Sequence, residues 1–316
     1  MGAGRAVGLV LGVAADAVLG DPRRGHPVAA FGRVAGAVER VLHRDHRVAG
    51  VAHTALLVGG VALAGRAVER ASRGNLVAEA ATTAVATWVV LGGASLAAEG
   101  TAMGRELNAG EVDAARERLP SLCGRDPQRL DTAGLARATV ESVAENTSDA
   151  VVAPLLWGAV AGVPGLLAYR AANTLDAMVG HRSPRYLRFG WASARLDDVA
   201  NLVPSRIAAL LTTAGAPVVG GSAPQAWSTW RRDAAAHPSP NAGQVEAAFA
   251  GALEIRLGGR TVYRHGVEDR PVLGDGRAPD AGHVTRAVEL SRVVGAGAAL
   301  LAAVVALFAG RRSSRG

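Results

Sequence analysis

VVGAGAALLAAVVALFAG, Val293–Gly310, holds no charge over 18 residues and is followed at once by Arg311 and Arg312. A membrane-crossing helix needs roughly 20 predominantly apolar residues, so this stretch reads as a span with a basic stop behind it. Working back along the chain, Ile207–Trp230, Ala150–Tyr169 and Ala80–Ala98 are also free of charge, and Val48–Gly65 is broken only by His53. Near the start, the shorter run Ala6–Ala15 ends at Asp16. Together these runs predict an all-α, polytopic integral membrane protein, multi-pass in the cell membrane, with polar loops forming its site. The expected apolar segments are about 6–19, 48–65, 80–98, 150–169, 207–224 and 293–310, with soluble insertions at about 99–149 and 225–292. The whole chain, 1–316, is expected to form a single membrane-embedded domain. Asp16 interrupts the one candidate signal-peptide core, so no cleaved signal is expected.

The segment 150–169 carries Pro154 and Pro164, and both predict a broken or re-entrant helix. Irregular backbone at membrane depth is tolerated where it lines a cavity. Small residues four apart, such as Gly295 and Ala299, suit close helix packing in lipid. Arginine loads nearly every long connection, so the charge pattern alone leaves orientation open.

Composition removes several function classes. All 34 basic residues are Arg, which excludes a Walker A lysine and a Schiff-base lysine. Cys123 is the only cysteine, so intrachain disulfides and thiolate zinc sites are excluded as well. The net charge of +7 points to an anionic partner, a phosphate ligand or lipid headgroup. Nucleic acid is not expected, because the arginines are dispersed and lack interleaved aromatics.

Five polar clusters adjoin the apolar runs. In GDPRRGHPV, Gly20–Val28, the two prolines hold Asp21 and His26 on a rigid turn. In ESVAENTSD, Glu141, Glu145 and Ser148 share one helical face, with Asn146 and Asp149 on the next. Carboxylates four apart repel unless a cation sits between them, and oxygen donors of this kind suit Mg²⁺. In YRAANTLDAMVGHRSPRY, Arg170, Asn173, Thr174 and Asp176 fall on one face. Gly180 reads as the helix terminator there, and His181, Arg182 and Arg185 form an exit loop that reads as a phosphate clamp. RLDDVANLVPSR places Asp197 and Asp198 within one turn of Asn201. Finally, Asn241 and Gln244 read as a capping box opening a helix that runs to about Ile255. The Gly258–Gly276 stretch that follows reads as a loop or short hairpin, either a cover for a ligand or a linker.

These motifs together resemble the adenosylcobinamide-phosphate synthase family, the CobD/CbiB proteins of cobalamin biosynthesis. The resemblance runs from about Leu11 to about Gly276 and is most specific from Glu141 to Pro204. It departs at Arg23, Arg24 and Gly25, where the family has a longer loop with an apolar pair, at Ala150 in place of Gly, and at Gln244 and Val245. Membership implies a membrane ligase that forms a carbon–nitrogen amide bond between adenosylcobyric acid and aminopropanol or its O-phosphate. ATP is the implied co-substrate, with Mg²⁺ and no prosthetic group. The implied partners are the lipid bilayer and other late corrin-pathway membrane enzymes.

On that basis Glu145 and Asp149 hold Mg²⁺ with help from Asp197 or Asp198, and Glu141 and Asp176 belong to the same donor set. Arg182 and Arg185 cradle phosphate. Asn173 and Asn146 orient substrate, joined by Asn241, and His181 or His26 accepts the proton of the attacking amine. The rival from another class is a corrinoid-binding membrane transporter or scaffold without catalysis.

Overall fold

A computed structural model describes residues 2–22, 25–263 and 266–313, excluding the side chains of 261–268 and 311–313. Arg23 and Arg24 of the first polar cluster, and the side chains of the basic stop Arg311 and Arg312, lie outside what is described. The described residues form helices α1 (Gly2–Leu19), α2 (Pro27–Leu42), α3 (Arg47–Ser72), α4 (Leu76–Val90), α5 (Gly93–Ala109) and α6 (Val112–Arg118). They continue with α7 (Thr132–Thr147), α8 (Ala153–Val179), α9 (Trp191–Gly215), α10 (Ala223–Asp233), α11 (Ala242–Leu253) and α12 (Ala281–Ser313). Between α11 and α12, β1 (Leu257–Tyr263) pairs antiparallel with β2 (Gly266–Leu273), so the last polar cluster forms the hairpin.

Among the described residues six stretches are long and apolar enough to cross a membrane: 2–19, 47–72, 76–109, 132–179, 191–219 and 281–310. Each expected apolar segment falls on one of them, and the helical, polytopic class holds. One boundary moves. The expected segment 207–224 overruns α9, which ends at Gly215; a 3₁₀ turn, Ala216–Val219, and the left-handed Gly220 then carry the chain into α10.

The chain divides into two compact units. The first comprises 1–92, 153–201 and 298–316; the second comprises 93–152 and 202–297 and holds both expected soluble insertions.

In the first unit α1 lies against α4 through Gly4, Gly8 and Gly12, one residue per turn on a single face. An added Cβ at Gly4 would come within 2.7 Å of Glu79, and at Gly8 or Gly12 it would run into Thr83 or Thr87. Asn75 caps α4 by accepting from the amides of Val77 and Ala78. His26 and His46 cap α2 and α3 in the same way through Nδ1, at 3.1 Å from the Val28 and Val48 nitrogens.

The break in α8 sits at Gly162 (φ 69°, ψ −151°), not at the prolines. Pro154 follows directly on the π-helical turn Ser148–Val152, and the helix runs on through it without a break. Pro164 lies just past the break, in the opening turn of the second half. A break at this depth leaves backbone groups without helical partners. Arg5 meets that need from α1: its Nη1 donates to the carbonyls of Ala159 (3.2 Å) and Val160 (3.4 Å). From α3, Glu69 Oε2 accepts the Val163 amide at 3.1 Å, while Arg5 Nη2 pairs with Glu69 Oε1 at 3.3 Å. The kink is therefore fastened by the Arg5–Glu69 pair, with Arg73 Nη2 4.0 Å from the same Glu69 oxygen.

In the second unit, Asp131 caps α7 through the Gly134 amide (2.7 Å). At its far end α7 runs into a π-helical turn, Ser148–Val152, before α8 begins. π-turns inserted in α-helices recur at functional sites, and this one falls on the SDAVV of the most specific motif.

Candidate functional site

Each unit gathers one polar constellation. In the second unit, Glu141 and Glu145 come onto one face of α7, as their spacing implies. The Glu141 carboxylate is 2% exposed, and both of its oxygens are used. Oε2 takes the Arg125 guanidinium, and Oε1 accepts the Gly258 amide at 2.7 Å. Glu141 thus ties Arg125 and the base of the hairpin to α7. Arg125 is itself only 5% exposed, and its Nη1 has no partner among the described residues.

One turn further on, Glu145 is exposed to solvent yet faces Glu246 on α11, Arg270 on β2, His237 and Arg125. Glu246 and His237 lie behind it, buried, with His237 Nε2 3.9 Å from Glu246 Oε2. Burial pushes the Glu246 carboxyl above its ordinary range, with Arg270 and Arg125 pulling the other way. Burial likewise pushes His237 below its ordinary value, so the imidazole stays neutral. Its Nδ1 accepts the Ser239 amide at 3.1 Å, and its Nε2 has no hydrogen-bond partner among the described residues. A neutral imidazole nitrogen, a buried carboxyl and an accessible carboxylate form a proton-handling group beside an incompletely paired guanidinium.

The other expected residues of this unit are accounted for as follows. Asn146 donates to the Ser142 carbonyl at 2.9 Å, and Asp149 sits half-buried in the π-turn. Asn241 opens α11 but makes no side-chain cap; it accepts from Ser205 Oγ at 3.3 Å. The capping is done by Ser239, whose Oγ accepts from the amides of Asn241 (3.3 Å) and Ala242 (3.1 Å), while Gln244 holds the Trp230 indole N–H. Ser239→Ala is therefore expected to cost about 1 kcal/mol, the usual worth of a cap, in chemical or thermal unfolding.

Beside this cluster, Cys123 is pushed up by burial, so its thiol stays protonated and unreactive. Asp233 fixes the end of the hairpin by accepting from Arg232 and from the Gly274 amide (2.8 Å). The Arg232 contact, helped by Gly274, holds the Asp233 carboxyl below its ordinary value. A depressed carboxylate adds stability above its unfolded-state pKa and loses it as pH falls through the folded value. Asp233→Asn is accordingly expected to cost about 1 kcal/mol at pH 7, with the difference shrinking in unfolding curves as the pH falls below the ordinary aspartate range.

In the first unit, α8 and α9 share a hydrogen-bonded chain. Asn173 Nδ2 and Asn201 Nδ2 donate to the two oxygens of Asp197 at 3.3 and 3.0 Å, and Tyr169 donates to Asn201 Oδ1 at 2.8 Å. Asp198 instead pairs with Arg195 one helical turn away, at 3.6 Å. Asp176 folds back over Gly180, where any Cβ would collide with its Oδ1. Gly180 is therefore required for closeness; it is not among the positive-φ glycines that terminate helices in the left-handed region.

The exit loop behaves differently from a free phosphate clamp. Arg185 Nη2 and the Tyr186 hydroxyl both bind Glu39 Oε1, at 2.9 and 3.0 Å. Burial pushes Glu39 up, but these two donors outweigh it and hold the carboxyl below the usual range. Arg182 and His181 are exposed, with His181 edge-on to the Tyr186 ring at 6.0 Å. His26 spends Nδ1 on its cap and has Nε2 3.7 Å from Asp21.

The expected metal donors thus divide: Glu141, Glu145 and Asp149 belong to the second unit, and Asp176, Asp197 and Asp198 to the first. Among the described residues no three His, Cys, Asp or Glu side chains converge as a closed metal site would need. Sequence reasoning passed over Arg125, His237, Glu246 and Arg270. Glu246 had left a signal, as the lone charge in the otherwise apolar AGQVEAAFAGAL of α11.

The family model described as "CobD/Cbib protein" matches residues 9–291. A protein of Mycobacterium tuberculosis named "Cobalamin biosynthesis protein CobD" is 59% identical over 301 residues, covering 95% of this chain and 96% of its own. Proteins of the same name from Geobacter metallireducens (44% identical, 84% and 85% covered) and Chromobacterium violaceum (42%, 87% and 88%) are also similar. No solved structure matches the chain. Matched along nearly its whole length by this model and these relatives, the chain belongs to the CobD/Cbib protein family and is a multi-pass membrane protein.

Proposed function

We propose that the protein is an ATP-dependent ligase that joins adenosylcobyric acid to aminopropanol or its O-phosphate through an amide. Relatives named for cobalamin biosynthesis, at up to 59% identity across nearly the full length, support a role in that pathway. The observation that carries the chemistry is the Glu145–Glu246–His237 group beside Arg125 in the second unit.

An amide cannot form from a free carboxylate at neutral pH without activation, most simply as an acyl phosphate made at the expense of ATP. The attacking amine must then lose a proton. His237, held neutral with Nε2 uncommitted, is better suited to accept it than His26, whose Nδ1 is tied to its cap, or the exposed His181. The Glu145 carboxylate that faces it steadies the imidazolium that results. Arg125 offers a free N–H to anionic oxygen in a water-poor setting, where such a donor is worth most.

Mg²⁺ arrives with a nucleotide on one or two carboxylates plus phosphate oxygens, and the facing pair Glu145 and Glu246 fits that need, with Asp149 half-buried on the adjoining π-turn. The ion would neutralise phosphate charge there.

The test is a mass-spectrometric assay on detergent-solubilised protein given adenosylcobyric acid, Mg-ATP and either amine. An amide product that requires ATP supports the ligase and identifies the amine. Intact protein that binds the corrinoid and makes no amide sinks this reading in favour of a binding or transport role.

A further inference from the structure

The second unit contains a cavity of about 400 Å³ between the start of α7 and the base of the hairpin, lined among others by Asp131, Gly134, Arg137, Arg256, Gly258 and Gly259. None of the polar residues singled out from the sequence lies in its wall, yet its chemistry is one-sided. Two guanidiniums face a single carboxylate, and that carboxylate, Asp131, is committed to the Gly134 amide. Arg137 is held from behind: Nη1 donates to the Gly258 carbonyl (2.7 Å) and Nη2 to that of Arg260 (2.8 Å). A guanidinium has five N–H groups, so three remain for another acceptor. Its Nε is buried and has no partner among the described residues.

The backbone of the cavity is also specialised. Gly258 and Gly259 are consecutive left-handed residues (φ 78° and 77°), a conformation that L side chains rarely adopt. A Cβ at Gly258 would collide with the Pro271 carbonyl, and one at Gly259 would stand 3.4 Å from Arg137 Nη1. Gly258 is therefore required by the close approach of Pro271, and Gly259 keeps the space beside Arg137 open. The first turn of α7 adds the positive end of a 16-residue helix. Through Gly258 the wall connects to Glu141, and through Glu141 to Arg125, whose Nη1 also lacks a partner.

We propose that this cavity binds the phosphate of a substrate, with Arg137 and Arg256 as its cationic walls and the Gly258–Gly259 main chain as its floor. The assignment rests on the ligase reading and gives it a phosphate site. In a chain without lysine, paired arginines are the groups left to hold phosphate. ATP and aminopropanol phosphate share the chemistry, and binding separates them.

The experiment is equilibrium binding to the full-length, detergent-solubilised protein of ATP, aminopropanol phosphate and inorganic phosphate, each alone with Mg²⁺. Wild type is compared with Arg256→Glu and Arg137→Gln, and melting curves check the fold. Arg256 is exposed, so its replacement leaves the packing intact. The Arg256→Glu change is expected to weaken one phosphate ligand about 10-fold or more. Loss confined to the ATP arm names the nucleotide, and loss confined to the aminopropanol phosphate arm names the amine. Unchanged binding of every probe in both variants, or no binding by wild type, overturns the proposal. Arg256-dependent binding by a wild type that makes no amide would leave this site standing and remove the ligase. Amide formation with binding indifferent to both arginines would do the reverse.

Discussion

Glu145→Gln is expected to slow amide formation by about 10²–10³-fold while the protein folds and binds the corrinoid as before. Glutamine is isosteric with glutamate, so the replacement removes the charge and keeps the shape of the side chain. The charge removed is the one accessible charge facing Glu246, His237, Arg270 and Arg125. If Glu145 meets the magnesium of the nucleotide, the variant also needs more Mg²⁺ for half-maximal rate. Steady-state kinetics across a magnesium titration reads both effects. Full turnover at ordinary magnesium would remove Glu145 from the chemistry.

Glu69→Ala is expected to destabilise the protein by about 3 kcal/mol, a large effect for a residue far in sequence from every reacting group. The change leaves the Arg5 guanidinium without its carboxylate and the Val163 amide without an acceptor, in a side-chain environment only 15% exposed. Unfolding in detergent measures the loss. The Arg5→Ala, Glu69→Ala double variant should cost less than the two singles added together, because each single strands the other's charge. Additive effects would mean that the two do not work as a unit in holding the α8 break.

That break shows how far the sequence could be read. Charge-free runs located all six spanning stretches, because burial in lipid selects directly for apolar length. The interruption at 150–169 was legible as well, since two prolines advertise it. Its position was not. The helix runs on through Pro154 from the π-turn before it, and the residue that breaks it is Gly162, where Arg5 and Glu69 satisfy the groups that are freed. Those partners lie 157 and 93 residues away along the chain, and no local pattern announces them.

The site divides along the same line. Glu141 and Glu145 were legible on one helical face from spacing alone. Their roles were set by what meets them: Arg125 and Gly258 occupy Glu141, whereas Glu145 faces a histidine and a carboxyl brought from α11 and the loop before it. The capping box at Asn241 failed for a smaller reason. Ser239, two residues earlier, takes the Asn241 and Ala242 amides, the Gln244 amide bonds the Asn241 carbonyl, and the Asn241 side chain binds Ser205.

The most direct test of the ligase account follows an oxygen atom. Adenosylcobyric acid labelled with ¹⁸O in its free carboxylate is incubated with the protein, Mg-ATP and the amine, and the phosphate products are examined by mass spectrometry. Activation as an acyl phosphate forms a carboxylate–phosphorus bond with loss of ADP; attack by the amine then expels phosphate that carries the carboxylate oxygen. The account predicts one ¹⁸O in inorganic phosphate for each amide formed. Amide formation with unlabelled phosphate and unlabelled AMP would contradict it.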